Sequence, residues 1–235
     1  MSRFRLALLS FVALLGLSTA CIQMETAIVV NDDGSGTISL TQALDVVAVK
    51  DMLKEFAEGF GEDMNSTPPP SFDAKDIDTS KLPKGTKVES YKNGNFEGVK
   101  LTAPFDKPEN AFEVLNKLSG ALSDQTSSLT AMAGAPSSGS SSPSGQFESL
   151  TIAKQGDGGW KFEAKQAASG APGELDADTR ELVDAFLKDA SVSLKVKLPG
   201  KVAETNADST SNNEMTWKLP LIVDAPKTLT GRTTK

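Results

Sequence analysis

Gly-rich turns flanked by alternating apolar residues recur along the chain, and they confine it to a fold built on hairpins. Met24, Thr26, Ile28 and Val30 share one face of a strand, Asn31-Asp32-Asp33-Gly34-Ser35-Gly36 turns, and Ile38 and Leu40 return. Strict alternation is the signature of a half-buried strand. A second hairpin centres on Tyr91-Lys92-Asn93-Gly94-Asn95-Phe96. Asn-Gly suits a type I′ turn, whose two central residues both need positive φ. That turn pairs Lys92 with Asn95, Tyr91 with Phe96 and Val88 with Val99, and puts Val88, Val99 and Leu101 on the core face. A third begins at Leu150 and Ile152, turns at Gln155-Gly156-Asp157-Gly158-Gly159 and returns through Trp160, Phe162 and Ala164.

Each hairpin is followed by a helical pattern. Val46, Val49, Leu53, Phe56 and Phe60 recur at three and four residues, as do Phe112, Leu115, Leu118 and Leu122. Such stripes predict amphipathic helices. Asp106 is a good N-cap for the second, with Glu109 completing a capping box. A third helix is expected over about 174–189, with Leu175, Leu182, Phe186 and Leu187 apolar. The tail is β: Val192, Leu194, Val196 and Leu198 alternate, Pro199-Gly200 interrupts, Val202 continues, 206–213 turns, and Met215, Trp217 and Leu219 alternate back to Pro220.

Two stretches lack pattern, near 62–83 with Pro68-Pro69-Pro70, and near 123–146, where 133–145 is rich in Ser, Gly and Pro. They read as flexible insertions. A unit of two strands and one helix buries too little to stand alone. The expectation is therefore one α+β domain over 21–235: antiparallel hairpins forming a curved sheet, with three amphipathic helices packed on one face.

Residues 1–20 are a different kind of segment. Arg3 and Arg5 precede the apolar run of residues 6–17, then Ser18-Thr19-Ala20 and Cys21. Twelve helical residues span about 18 Å, too short for a bilayer core of about 30 Å. Basic start, short apolar core and small residues describe a secretory signal. Its placement before the sole Cys resembles the lipobox of bacterial lipoproteins, in which the Cys thiol is acylated and becomes the N-terminus. Cys21 is thus the expected lipidation site, with Ser18 where the usual lipobox has Leu. Two acyl chains give stable anchoring. Once Arg3 and Arg5 are removed, 22 basic residues face 31 acidic ones, a net charge of −9. Anionic headgroups would repel such a body, so the acyl chains must hold it.

The same counts exclude much chemistry. With no His and one Cys, no Ser-His-Asp triad, Cys-His pair, His-ligated metal or intrachain disulfide can form. The acidic balance makes nucleic acid an unsuitable partner. Asn31–Gly36 has adjacent acids rather than oxygens at alternate positions, and no Glu at position twelve, so it reads as a turn rather than a calcium loop. Glu55, Glu58, Glu62 and Asp63 could be offered as a carboxylate pair for glycoside hydrolysis, but Glu55 and Glu58 fit the solvated face of the first helix. Trp160, Phe162 and Trp217 sit at alternating strand positions, where core packing is the default over a sugar or lipid platform.

Cys21, the run Ile28-Val29-Val30-Asn31-Asp32-Asp33-Gly34-Ser35-Gly36, and at the far end Leu198-Pro199-Gly200-Lys201-Val202, Thr205-Asn206-Ala207 and Trp217-Lys218-Leu219-Pro220 together resemble the LppM-like family of actinobacterial lipoproteins. The resemblance covers both ends of the domain and implies a mixed α/β domain similar to lipid-binding folds, displayed outside the cytoplasmic membrane. Some members also carry a membrane-spanning helix near the C-terminus. Here Leu221-Ile222-Val223 is only three apolar residues, so no transmembrane helix is expected in the mature chain and anchoring rests on Cys21. The expectation is a non-enzymatic, lipid-anchored module on the extracytoplasmic face of the cell membrane, without cofactor or metal. It binds an envelope lipid or other amphiphile, or else docks an envelope protein.

Overall fold

The computed structural model describes residues 22–51, 54, 72–132, 147–168, 191–220, 223 and 225–235. Strands dominate them. The first hairpin is β1 (Ile22–Val30) and β2 (Gly36–Asp45), in register from Ile22↔Leu44 to Val30↔Gly36. Gly34 closes it at φ +88°. The second is β3 (Lys87–Asn93) and β4 (Phe96–Phe105), with β4 pairing on β2 from Gly36↔Phe105 to Asp45↔Phe96. The third is β5 (Phe147–Lys154) and β6 (Trp160–Gln166), and the tail supplies β7 (Ser191–Lys197), β8 (Lys201–Thr205), β9 (Ser209–Ser211), β10 (Glu214–Leu219) and β11 (Lys227–Thr234).

These strands form two sheets rather than one. A seven-stranded sheet runs β3-β4-β2-β1-β7-β10-β9, and a four-stranded sheet runs β5-β6-β11-β8. The first two hairpins share the larger sheet while the third founds the smaller. Nor is the larger sheet wholly antiparallel: β1 and β7 pair in parallel from Gln23↔Ser191 to Val29↔Lys197. The expected single curved sheet carrying three helices is therefore overturned. The described residues are mostly β, with one long helix, α1 (Ala111–Met132), a helical segment at 46–51, and three short 3₁₀ turns. The stretch 174–189 lies outside the described residues. The reason for the miss is physical. Alternation says that a hairpin has a buried face, but not whether a helix or a second sheet covers it.

What covers the larger sheet is visible in its contacts. Phe162 of β6 packs on Trp217 of β10, ring centroids 5.5 Å apart and tilted by 38°. Gly231 of β11 lies so close under Met215 of β10 that a Cβ there would stand 2.4 Å from the sulfur. Leu115, Leu118 and Leu122 of α1 are buried beside Val99, Leu101 and Ala103 of β4, and these join Phe162, Met215 and Trp217 in one hydrophobic cluster. Within 62–83, Phe72 and Ile77 are buried in the same cluster, flanking the turn Ala74–Asp76.

Local chemistry explains the boundaries. Asp45 accepts hydrogen bonds at Oδ1 from the Val47 and Ala48 N–H groups, both at 3.0 Å, so it caps the helical segment as β2 ends. The entry to α1 differs from expectation. A 3₁₀ turn, Pro108–Asn110, precedes it, and the residue at its cap position is Lys107, with no side-chain cap. Pro108 pre-sets the first-turn φ, which lets the helix start without the Asp106 cap. The β3–β4 turn also departs. Its loop is Gly94–Asn95, Asn93 pairs with Phe96, and Val88 pairs with Leu101 rather than Val99. Gly94 has φ +61°, and Asn95 is not among the residues of positive φ. That is the pattern of a type II′ turn, with Gly first, rather than type I′. A shift of two residues preserves every face, so Val88, Val99 and Leu101 still point one way. A type I′ pattern occurs at Asn212 and Asn213, at φ 50° and 63°, between β9 and β10.

Candidate functional site: a cleft between helix and sheet

Three strands lay down the floor of a half-open cleft. Met24 of β1 stands between its register partners Gln42 of β2 and Val192 of β7, and Thr26 stands beside Leu40. The roof is α1, through Leu115, Ser119 and Leu122, and Phe147 of β5 closes one side. Leu115, Ser119 and Leu122 fall at spacings of four and three, one face of the helix. The cleft measures about 30 Å³. That is room for a water molecule or two.

Its walls are apolar with a few polar groups set among them. Gln42 and Ser119 are both 2% exposed. Burying amide and hydroxyl groups costs free energy unless hydrogen bonds replace water, and plain helix-on-sheet packing has no need of them. Gln42 breaks the apolar series Ile38, Leu40, Leu44 on the core face of β2, and Ser119 interrupts the stripe of α1. Polar residues inside an apolar period are the signal in the sequence that marks this cleft.

The expected site residues that the structure describes fall elsewhere. Cys21, Glu55, Glu58, Glu62 and Asp63 lie outside the described residues. Asn31–Gly36 is a turn held by its own polar atoms. The Asn31 N–H donates to the Ser35 carbonyl at 2.7 Å, and Asp33 Oδ1 accepts from the Ser35 N–H at 2.9 Å and hydroxyl at 2.7 Å. The Ser35 hydroxyl, and then its N–H, hold the Asp33 carboxyl below its usual range. In the β5–β6 turn, Asp157 accepts from the Gly159 N–H at 3.0 Å and from Arg232 at 2.6 Å, and its carboxyl is likewise depressed, first by Gly159 and then by Arg232. Among the described residues, no three His, Cys, Asp or Glu side chains converge as a metal site. Trp160, Phe162 and Trp217 are buried core residues, at 3%, 0% and 0% exposure.

The quoted motifs near the C-terminus join the two sheets. The chain leaves β7 through Leu198-Pro199-Gly200 and enters β8 of the other sheet. The Thr233 hydroxyl of β11 donates to the Pro199 carbonyl at 2.6 Å and accepts from the Trp160 N–H at 3.1 Å. Gly200 takes φ +89° with the Thr234 carbonyl 2.1 Å from any added Cβ, so no other residue fits. Asn206 bonds Trp217 of the larger sheet and Thr228 and Thr230 of the smaller.

Among the described residues no helix is long and apolar enough to cross a membrane. The NMR structure of the folded domain of LppM from Mycobacterium tuberculosis aligns with 93% of this chain and 92% of its own, at 16% identity and a TM-score of 0.48. Comparison with curated protein sequences returns no match. The LppM domain, however, matches residues 22–232, from the first residue of β1 to Arg232 within β11. A match that spans both sheets, α1 and the cleft shows that this chain belongs to the LppM domain family.

Proposed function

We propose that the protein is an extracytoplasmic envelope lipoprotein, held at the cell membrane by acyl chains on Cys21, which takes the apolar part of a lipid or other amphiphile into the cleft under α1. The observation that carries this is the pair of polar side chains, Gln42 and Ser119, buried among the apolar walls of the cleft. Apolar walls with a few placed polar groups are the usual build of a small-molecule site. At about 30 Å³ the cleft does not admit an acyl chain as it stands, so uptake requires α1 to move off β1 and β2. The assigned role is binding, not catalysis.

The test uses residues 22–235, delipidated, titrated with envelope lipid extract while Trp emission and melting temperature are followed together. A ligand that binds only the folded state raises Tm with concentration. Filling the cleft with Ser119→Leu should abolish the rise. If neither signal responds in the unsubstituted domain, amphiphile binding is wrong. The small volume of the cleft then favours the second reading, an interaction domain that docks an envelope protein.

A further inference from the structure

The anchored residue and the sheet are covalently adjacent. Ile22 is already the first residue of β1, paired with Leu44 and 8% exposed. Cys21 is bonded to it, and consecutive Cα atoms lie about 3.8 Å apart. An acyl group on Cys21 therefore hangs directly on the edge of the folded domain, without a tether. Register then identifies what else lies at that edge. The row through Ile22 continues across the sheet to Leu44, Glu97 and Lys92. One step further out come Asp45, Phe96 and Asn93, and beyond them the hairpin tip Gly94–Asn95. The Val46 N–H donates to the Asn95 carbonyl at 3.0 Å, fixing the tip against the start of the helical segment. Val47, next along, is 48% exposed, the more exposed of the two large apolar side chains that stand out in solvent among the described residues.

We infer that the Ile22 end of the seven-stranded sheet, with the tip Gly94–Asn95 and Val47, is a membrane-contacting surface that seats flush on the lipid headgroups. The inference rests on the acylation of Cys21 proposed above. It sets the turn Asn31–Gly36 at the far end, since the nine residues of β1 rise about 30 Å when extended. It also places the cleft. Met24, its first wall residue, lies two residues from Ile22, about 7 Å along the strand. A lipid leaving the outer leaflet would reach the cleft without crossing free water.

The experiment uses the full, acylated chain in phosphatidylcholine vesicles carrying a nitroxide-headgroup lipid. Asn95→Cys and Asp32→Cys, both exposed positions, are labelled separately with one fluorophore; acylation leaves no free thiol at Cys21. The label at Asn95 should lose most of its emission to the nitroxide, while the label at Asp32 keeps most of its own. A Gly-Ser insert of about twelve residues between Cys21 and Ile22, spanning about 20 Å, should abolish the contrast. Intact mass of the N-terminus is measured on the same samples. If lipid mass is present but the two labels are quenched equally, the seating is wrong and the anchor stands. If no lipid mass is found, both the anchor and the seating are wrong.

Discussion

The indole N–H of Trp217 donates to Oδ1 of Asn206 at 2.9 Å, and that bond ties the two sheets together. The same oxygen accepts from the Thr230 N–H at 2.9 Å, and Asn206 Nδ2 donates to the Thr228 carbonyl at 2.8 Å. One amide side chain thus satisfies a fully buried Trp of the larger sheet and two backbone groups of β11. Asn206→Ala would leave the Trp217 N–H buried and unpaired, which costs about 1–3 kcal/mol. In a domain of this size that is a Tm loss of about 2–4 °C per kcal/mol. Asn206→Asp keeps the acceptor and loses the Thr228 bond, so it should fall between. Thermal and urea unfolding of residues 22–235 check the order; equal stability for all three would show that the knot contributes nothing.

Gly231 is the closest approach of β11 to β10. Ala there would drive its Cβ to 2.4 Å from the sulfur and 2.8 Å from the Cε of Met215. Overpacking of this kind costs about 1–3 kcal/mol. Since the clash is with the flexible end of one side chain, a shorter residue at 215 should recover part of it, and the two substitutions should be non-additive. Gly156→Ala, where nothing lies within 4 Å, is the control and should be close to neutral. Denaturation midpoints of Gly231→Ala, Met215→Val and the double variant decide the point.

Asp45 ends β2 and starts the helical segment in one residue. With the side chain 5% exposed overall and two N–H groups bonded to Oδ1, Asp45→Ala should destabilise by about 0.5–2 kcal/mol. Asp45→Asn retains the acceptor and should lose less. Circular dichroism melts suffice, and an Ala variant as stable as the parent would remove the cap from the account.

The carboxyl of Asp157 is depressed by the Gly159 N–H and then by Arg232. A depressed folded pKa means stability that is present above the unfolded value, about 3.9, and lost as pH falls through the lower folded one. Carboxyl-carbon NMR should therefore show Asp157 titrating below the ordinary Asp range. Arg232→Gln should move the midpoint up only in part, because the larger cause, the Gly159 N–H, remains. A full return to the ordinary range would mean that the ion pair alone set it.

Much of the local structure was legible in the sequence because its causes are local. Strands at Met24–Val30, Trp160–Ala164 and Met215–Leu219, the turn at Asn31–Gly36 and the stripe of α1 follow from side-chain period and from turn residues that form their own hydrogen bonds. The buried state of Trp160 and Trp217 follows from the same alternation. The cleft was not legible in this way. Gln42 and Ser119 looked like polar breaks in apolar runs, and nothing local says that two such breaks, far apart in sequence, share one cavity.

The sequence by itself determined that this chain is built of hairpins, where most of them turn, and, through its missing His and lone Cys, which chemistry it lacks. Tertiary structure alone decided how the hairpins are shared between two sheets. The parallel pairing of β1 with β7 joins residues over 160 positions apart, and no local pattern encodes it. The strand β11 is the clearest case. Lys227–Thr234 holds a single large apolar residue, Leu229, so no apolar alternation marks it as a buried strand. It is nevertheless a central strand, between β6 and β8. Its small inward residue, Gly231, is what lets Met215 and Trp217 of the other sheet close down on it, and a requirement for emptiness leaves no hydrophobic mark in a sequence.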